Sequence, residues 1–293
     1  MLDKFNTIID LIKLKIRNFF LNINNQEISS KILIMKIKNE IKKANLPSYI
    51  LDGYKVYSQN DEDGIINSIL NDVGIGNKIF IEIGIGNGVE NNTHNLLLQD
   101  WHGVWIDSNT NNISKIKKFI EKNNKLAIFN KKITIENINE VIETGLSNIS
   151  NYRNDKDVDF FSIDIDSIDI FCIDKLEVIK PKIICIEYNS LFPPPMEITI
   201  NSNHKDGWSH DDYHGASLSY ICNVLAKKGY KLVSCNITGL NAFFVNIEFH
   251  EKCKTKDLSP HQLYMPPNYN LFSNYQTHKP TLKFLKDKLD SRN

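Results

Sequence analysis

From Tyr57 to about Ile247, short β-branched and aromatic runs alternate with longer stretches of helical period, a pattern that restricts the chain to a parallel sheet crossed by helices. Strands are expected over 78–83, 103–107, 126–130, 159–164 and 182–187, with a terminal pair at 231–236 and 242–247. Helical spacing fills 62–73, 92–98, 113–123, 138–144, 170–179 and 216–228. Five strand–helix units and a strand pair make seven strands. The expectation is an α/β fold with a Rossmann-like seven-stranded sheet whose last strand inserts antiparallel.

The first strand leads into Glu82-Ile83-Gly84-Ile85-Gly86-Asn87-Gly88, and Asn91, Asn92 and Thr93 open the next helix. Glycines at such a turn let backbone approach a ligand closely and adopt positive φ. The spacing is GxGxG with a glutamate two residues earlier, whereas a dinucleotide fingerprint requires GxGxxG and a helix N-terminus holding pyrophosphate. An acid at Glu82 repels pyrophosphate and suits a cation. S-adenosylmethionine carries an ammonium and a sulfonium and no phosphate, which makes it the expected cofactor and the seven strands those of a methyltransferase sheet. About twenty residues on, the second strand ends in Asp107, followed by Ser108, where an acid accepts from both ribose hydroxyls. Taken alone, Asp107 reads equally well as a surface or N-cap aspartate. Asn130, ending the third strand, either meets the adenine edge or serves as a turn residue. The expected cofactor set is Glu82, Gly84, Gly86, Gly88, Asn92, Asp107, Ser108, Asn130 and Asp164.

Several motifs in combination resemble the FkbM-like group of S-adenosylmethionine-dependent methyltransferases. They are Ser58-Gln59 with Glu62-Asp63-Gly64, the glycine turn with Glu90-Asn91-Asn92-Thr93, Ser162-Ile163-Asp164-Ile165-Asp166, Ile186-Glu187-Tyr188-Asn189 and Gly239-Leu240-Asn241-Ala242-Phe243-Phe244. The resemblance covers roughly residues 54 to 250 and implies O-methylation of a sugar or other secondary-metabolite hydroxyl, with a small or glycan-linked acceptor such as a surface-glycan precursor. N-methylation, phosphate-linked O-methylation of a related metabolite, and a non-catalytic scaffold retaining the fold remain as alternatives. The first fifty residues lie outside the resemblance.

A sugar hydroxyl is poorly acidic, so its transfer chemistry needs a base or a metal. The irregular stretch from Leu191 to His214 follows the fifth strand and carries Trp208, His204, His210 and His214, which makes it the expected acceptor loop. His210 and His214 are the preferred bases, because Asp211 and Asp212 are close enough to orient an imidazole. Asp166 joins them in the expected catalytic set. Asp164 and Asp166 share one face of their strand end, as do Glu187 and Asn189 of theirs. Neighbouring strands would gather these oxygens into a divalent-cation site suited to magnesium or manganese. Asp166 and Asp169 also read as caps of the following helix.

Lys+Arg and Asp+Glu each number 35, so no global charge steers the chain toward nucleic acid. Five cysteines without a CxxC pair read as buried thiols of a reducing compartment. No transmembrane or secretory segment is evident, so the expected location is cytoplasmic. Residues 1–50 read as a helical extension, 51–255 as the methyltransferase domain and 256–293 as a C-terminal wrap ending in a short helix. Phe5, Ile8, Ile9, Ile12, Ile16, Phe19 and Phe20 recur at helical spacing among basic residues. The extension therefore packs on the main domain, joins a second copy in a homo-oligomer, or lies on a membrane surface.

Overall fold

The computed structural model describes residues 28–120, 124–150, 152, 156–204, 208–272 and 279–290. The expected helix of the first twenty residues and the end of the one expected over 113–123 lie outside these. Two units separate among the described residues: 28–46 with 269–272 and 279, and 47–268 with 280–290.

The larger unit holds the sheet, with β1 (Ile79–Ile83), β2 (His102–Asp107), β3 (Leu126–Asn130), β4 (Asp157–Ile163), β5 (Lys180–Glu187), β6 (Tyr230–Cys235) and β7 (Asn241–Asn246). Its helices are α1 (Glu62–Val73), α2 (His94–Leu98), α3 (Thr110–Phe119), α4 (Ile138–Leu146), α5 (Asp169–Lys175), α6 (Leu218–Lys227), α7 (Ile247–His250), α8 (Pro260–Leu263) and α9 (Lys283–Asp290). The strand order is β3-β2-β1-β4-β5-β7-β6, with β7 antiparallel to both its neighbours. This is the expected seven-stranded Rossmann-like sheet with the last strand inserted antiparallel.

Alternation along the strands builds two cores. Ile79, Ile81 and Ile83 of β1 face one side with Ile138 and Ile142 of α4, Ile173 of α5 and Ile221 of α6. Phe80 faces the other with Ile65, Ile66 and Ile69 of α1, Ile113 and Ile116 of α3 and Leu285 of α9. Burial on both faces explains why the central strands read as continuous apolar runs. Trp101, Trp105 and Phe243 are fully buried packing residues.

Two helix boundaries shift from expectation for identifiable reasons. The helix expected from 92 begins at His94, because the N–H groups of Asn92 and Thr93 bond the Glu82 carboxylate at 2.8 and 3.0 Å. The helix expected to reach 179 stops at Lys175, where Asn139 Oδ1 accepts from the N–H groups of Glu177 and Val178 at 2.9 and 3.3 Å.

Candidate functional site

The order in which strands are added reverses at β1, which pairs in parallel with β2 on one side and β4 on the other. In open α/β sheets, ligands bind outside the carboxyl ends of the strands at this switch point. A cavity of about 920 Å³ lies there, with walls from the loops after β1, β2, β3, β4 and β5.

The glycine turn enters this wall through Gly84 and Gly86, with φ of +88° and +56°. A Cβ on Gly84 would lie 1.7 Å from the Asp164 carbonyl oxygen, so β1 and β4 meet here backbone to backbone. A Cβ on Gly86 would meet nothing within 4 Å, so this backbone is open to an incoming group. Asp107 closes the turn from β2: its Oδ2 accepts from Gly86 N–H at 2.8 Å and its Oδ1 from Asn109 N–H at 2.7 Å. Gly88 lies deeper, and its carbonyl accepts from His94 Nδ1 at 3.0 Å. Burial lowers His94 from 6.5 to about 4, so the ring is neutral, and it stacks on Tyr57 at 3.9 Å.

Glu82 sits behind the turn, fully enclosed. Its carboxylate accepts from Asn91 Nδ2, Asn92 N–H, Thr93 N–H and Thr93 Oγ1, and Trp105 Nε1 donates in turn to Thr93 Oγ1 at 2.8 Å. These bonds direct it at the start of α2, not into the cavity, and they hold the shape of the glycine turn. Desolvation raises Glu82 from 4.5 to about 7, against the opposing effect of its donors. Burial likewise raises Asp63, Asp164, Asp169 and Glu187. An acid raised on folding holds a proton that the unfolded chain has already released. Stability contributed this way is present at low pH and is lost as pH rises through the folded value. Urea unfolding is therefore expected to show a lower midpoint at about pH 8 than at about pH 5. Buried His94, lowered to about 4, opposes this fall between about pH 5 and 6.5. The assignment is therefore read from Glu82→Gln, which should make the midpoint at about pH 8 higher relative to that at about pH 5; a pH dependence unchanged by the substitution would contradict it.

Beside the glycine turn, the strand ends bring Asp164, Asp166 and Glu187 together, each offering an oxygen within 4.8 Å of the others. Parallel pairing of β4 with β5, Ile163 against Ile186, sets this register. Asp166 adopts φ +58°, a left-handed conformation that costs a non-glycine residue about 1 kcal/mol and concentrates at functional sites. Glu187 is held well above its ordinary value by burial first and then by Asp164, Asp169 and Asp166. Asp164 is raised by burial, then by Asp169, Asp166 and Glu82. Asp169 itself accepts from Ile165 and Ser167 N–H at 2.7 and 3.0 Å and so shapes the turn that presents Asp166.

Of the expected cofactor residues, Gly84, Gly86, Asp107, Ser108 and Asp164 line the cavity, whereas Glu82, Gly88, Asn92 and Asn130 do not. Asn130 Nδ2 donates to the Asp107 carbonyl at 3.0 Å and so supports Asp107 from β3. Of the cation set, Asn189 is placed apart, since its Nδ2 donates to the carbonyls of Asp212 and His214 at 2.9 and 3.1 Å and fixes the acceptor loop. Asp166 lines the cavity, as do His204 and Trp208 of the loop. His210 is exposed and packs on Trp208 at 4.6 Å. His214, 5.7 Å from the same ring, is half-buried and lowered by burial, with Asp166 the foremost opposing charge.

Lys131, Lys132, Thr134 and Glu136 also form cavity wall, and the sequence carried no signal for them beyond their place after a strand. Gln59 and Asn241 line it too. Asn241 Nδ2 donates to Glu62 Oε1 at 2.9 Å, while Asp63 Oδ2 accepts from Val56, Tyr57 and Ser58 N–H, at 2.7, 2.7 and 2.8 Å. Glu62 and Asp63 therefore anchor the segment that carries Gln59, tying it to β7.

No family model matches the sequence, and no curated protein does. Among solved structures, a SAM-dependent methyltransferase from Aquifex aeolicus is 12% identical over 71% of this chain and 96% of its own, with TM-score 0.36. The N-terminal domain of EvdMO1 with SAH bound is 11% identical over 72% of this chain and 94% of its own, at 0.40. A SAM-dependent methyltransferase from Methanosarcina mazei is 13% identical over 57% and 90%, at 0.33.

Proposed function

We propose that this protein transfers a methyl group from S-adenosylmethionine to a hydroxyl of a carbohydrate or nucleotide-linked surface-glycan precursor. The observation that carries the reading is the hydrogen bond joining Gly86 to Asp107 in the wall of a cavity that is also lined by the gathered Asp164, Asp166 and Glu187. Open backbone at Gly86 admits the cofactor, and Asp107 retains lone pairs for the ribose diol. The motif resemblance to FkbM-like methyltransferases over roughly 54 to 250 supports the same cofactor. Trp208, 44% exposed at the cavity rim, offers a flat apolar face for a sugar ring.

Methyl transfer from a sulfonium is an in-line displacement that depends on positioning and on removal of the acceptor proton. Asp164 and Glu187, both raised above the usual carboxylate range, are stronger bases than an ordinary carboxylate once ionised, which suits them to take that proton. Lone pairs on the cluster also fit a divalent cation, because the three donors are all oxygen and lie within reach of one centre. Magnesium or manganese held by Asp164, Asp166 and Glu187 would lower the acceptor hydroxyl pKa as a Lewis acid.

Transfer of labelled methyl to glycan precursors, followed by mass spectrometry of the product, tests both the reaction and the oxygen acceptor. Absence of S-adenosylhomocysteine binding together with clear NAD binding would overturn the reading. Exhaustive chelation is expected to reduce turnover at least about tenfold while leaving S-adenosylhomocysteine affinity unchanged. Undiminished turnover would remove the cation and leave the carboxylates alone as the base.

A further inference from the structure

Residues 28–43 form a helix in the smaller unit, and it carries two unlike faces. On one, Ile34, Ile37 and Ile41 are half-buried, and Ser30 Oγ donates to the Asn270 carbonyl at 3.2 Å. On the other, Ile28, Ile32 and Met35 recur at i, i+4 and i+7 and are 56%, 47% and 64% exposed. At about 100° per residue these three fall within an arc of roughly 60°. The same geometry places Lys31 and Lys42 along one flank of the stripe and Lys36 and Lys43 along the other, all exposed. Glu40, paired with Lys43 at 2.7 Å, is the one acid among five lysines between 28 and 46.

An apolar stripe bordered by lysine on both sides suits one kind of surface. Protein interfaces are depleted in lysine, which loses hydration and rotamer freedom there. At an anionic bilayer the apolar side chains enter the headgroup boundary, while the lysine stems lie along it and their ammonium groups reach the phosphates. Among the described residues no helix is long and apolar enough to cross a membrane, which leaves an orientation in the surface plane. We propose that this helix docks the protein on an anionic lipid surface, with Ile28, Ile32 and Met35 inserted and Lys31, Lys36, Lys42 and Lys43 at the headgroups. The proposal does not rest on the methyl-transfer reading, and its test needs no activity.

The test is flotation of the full chain with vesicles of phosphatidylcholine alone or mixed with phosphatidylglycerol. Binding is expected to the mixed vesicles only and to weaken with salt. Each lysine at the surface is worth about fivefold, so Lys36→Gln with Lys42→Gln should reduce partitioning by at least about tenfold. Ile32→Ser with Met35→Ser should do the same by removing insertion. These side chains are exposed, so the melting temperature should not move. If a pair does alter melting, Lys31→Gln with Lys43→Gln gives the same readout. No binding by the parent protein, or undiminished binding by the variants, would overturn the proposal. So would a parent dimer that the Ile32, Met35 pair converts to monomer while vesicles fail to bind, because a second copy would then be the occupant.

Discussion

Asp107→Ala is expected to weaken S-adenosylhomocysteine binding on the order of a hundredfold in titration calorimetry. The carboxylate stands at the end of β2 and lines the cavity, and the two hydrogen bonds it accepts come from backbone N–H groups of the glycine turn and of the α3 entry. A ribose diol would add two charge-assisted bonds, each worth about 1.5–3 kcal/mol, and loss of both accounts for the factor. Part of the effect is indirect, since Gly86 also loses its partner. Asp107→Asn separates the two contributions: it retains one acceptor oxygen and should cost about tenfold. Because Asp107 is only half-buried, water replaces its bonds to the backbone, and unfolding should shift by no more than about 1 kcal/mol. Affinity unchanged within about twofold would remove Asp107 from the cofactor site.

The sheet was legible because its two signals are local. α1 forms over the expected span, since Ile65, Ile66, Ile69, Leu70 and Val73 recur on one face and Glu62 and Asp63 favour the helix N-terminus. β1, β4 and β5 are apolar on both faces because helices cover both. The cavity wall was legible only where a motif coincides with a strand end or the turn after it, as at Gly84, Gly86, Asp107 and Asp164. Glu82 shows the limit of spacing: position along the chain says that an acid precedes the turn, but only the folded turn shows Asn91, Asn92 and Thr93 bonding to it. Asn189 likewise shares a face with Glu187 in sequence yet bonds the loop carbonyls of Asp212 and His214. Lys131, Lys132 and Glu136 gave no signal because a loop after an edge strand has no periodicity to read. Among the loop histidines, sequence neighbours favoured His210 and His214, whereas the fold puts His204 in the cavity wall.

Gly84 and Gly86 make a paired prediction in which similar substitutions separate fold from function. Both have positive φ, so alanine at either costs about 1 kcal/mol of backbone strain. At Gly84 the added methyl would also lie 1.7 Å from the Asp164 carbonyl oxygen, and no rotation of a side chain can relieve a backbone overlap. β1 and β4 would have to part where Asp164 N–H bonds the Ile83 carbonyl at 3.0 Å, while Gly84 N–H is held on the other side by the Ile106 carbonyl of β2 at 2.9 Å. Gly84→Ala is therefore expected to lower unfolding free energy by about 4 kcal/mol or more in urea titration, among the larger effects of single substitutions. At Gly86 the methyl meets open space, so stability should fall by only about 1 kcal/mol. That open space is where the cofactor backbone contact is proposed, and Gly86→Ala should reduce S-adenosylhomocysteine affinity at least about tenfold while the fold persists. Equal stability losses at the two positions would contradict the close approach at Gly84. A stable Gly86→Ala protein with full affinity would place the cofactor elsewhere in the cavity.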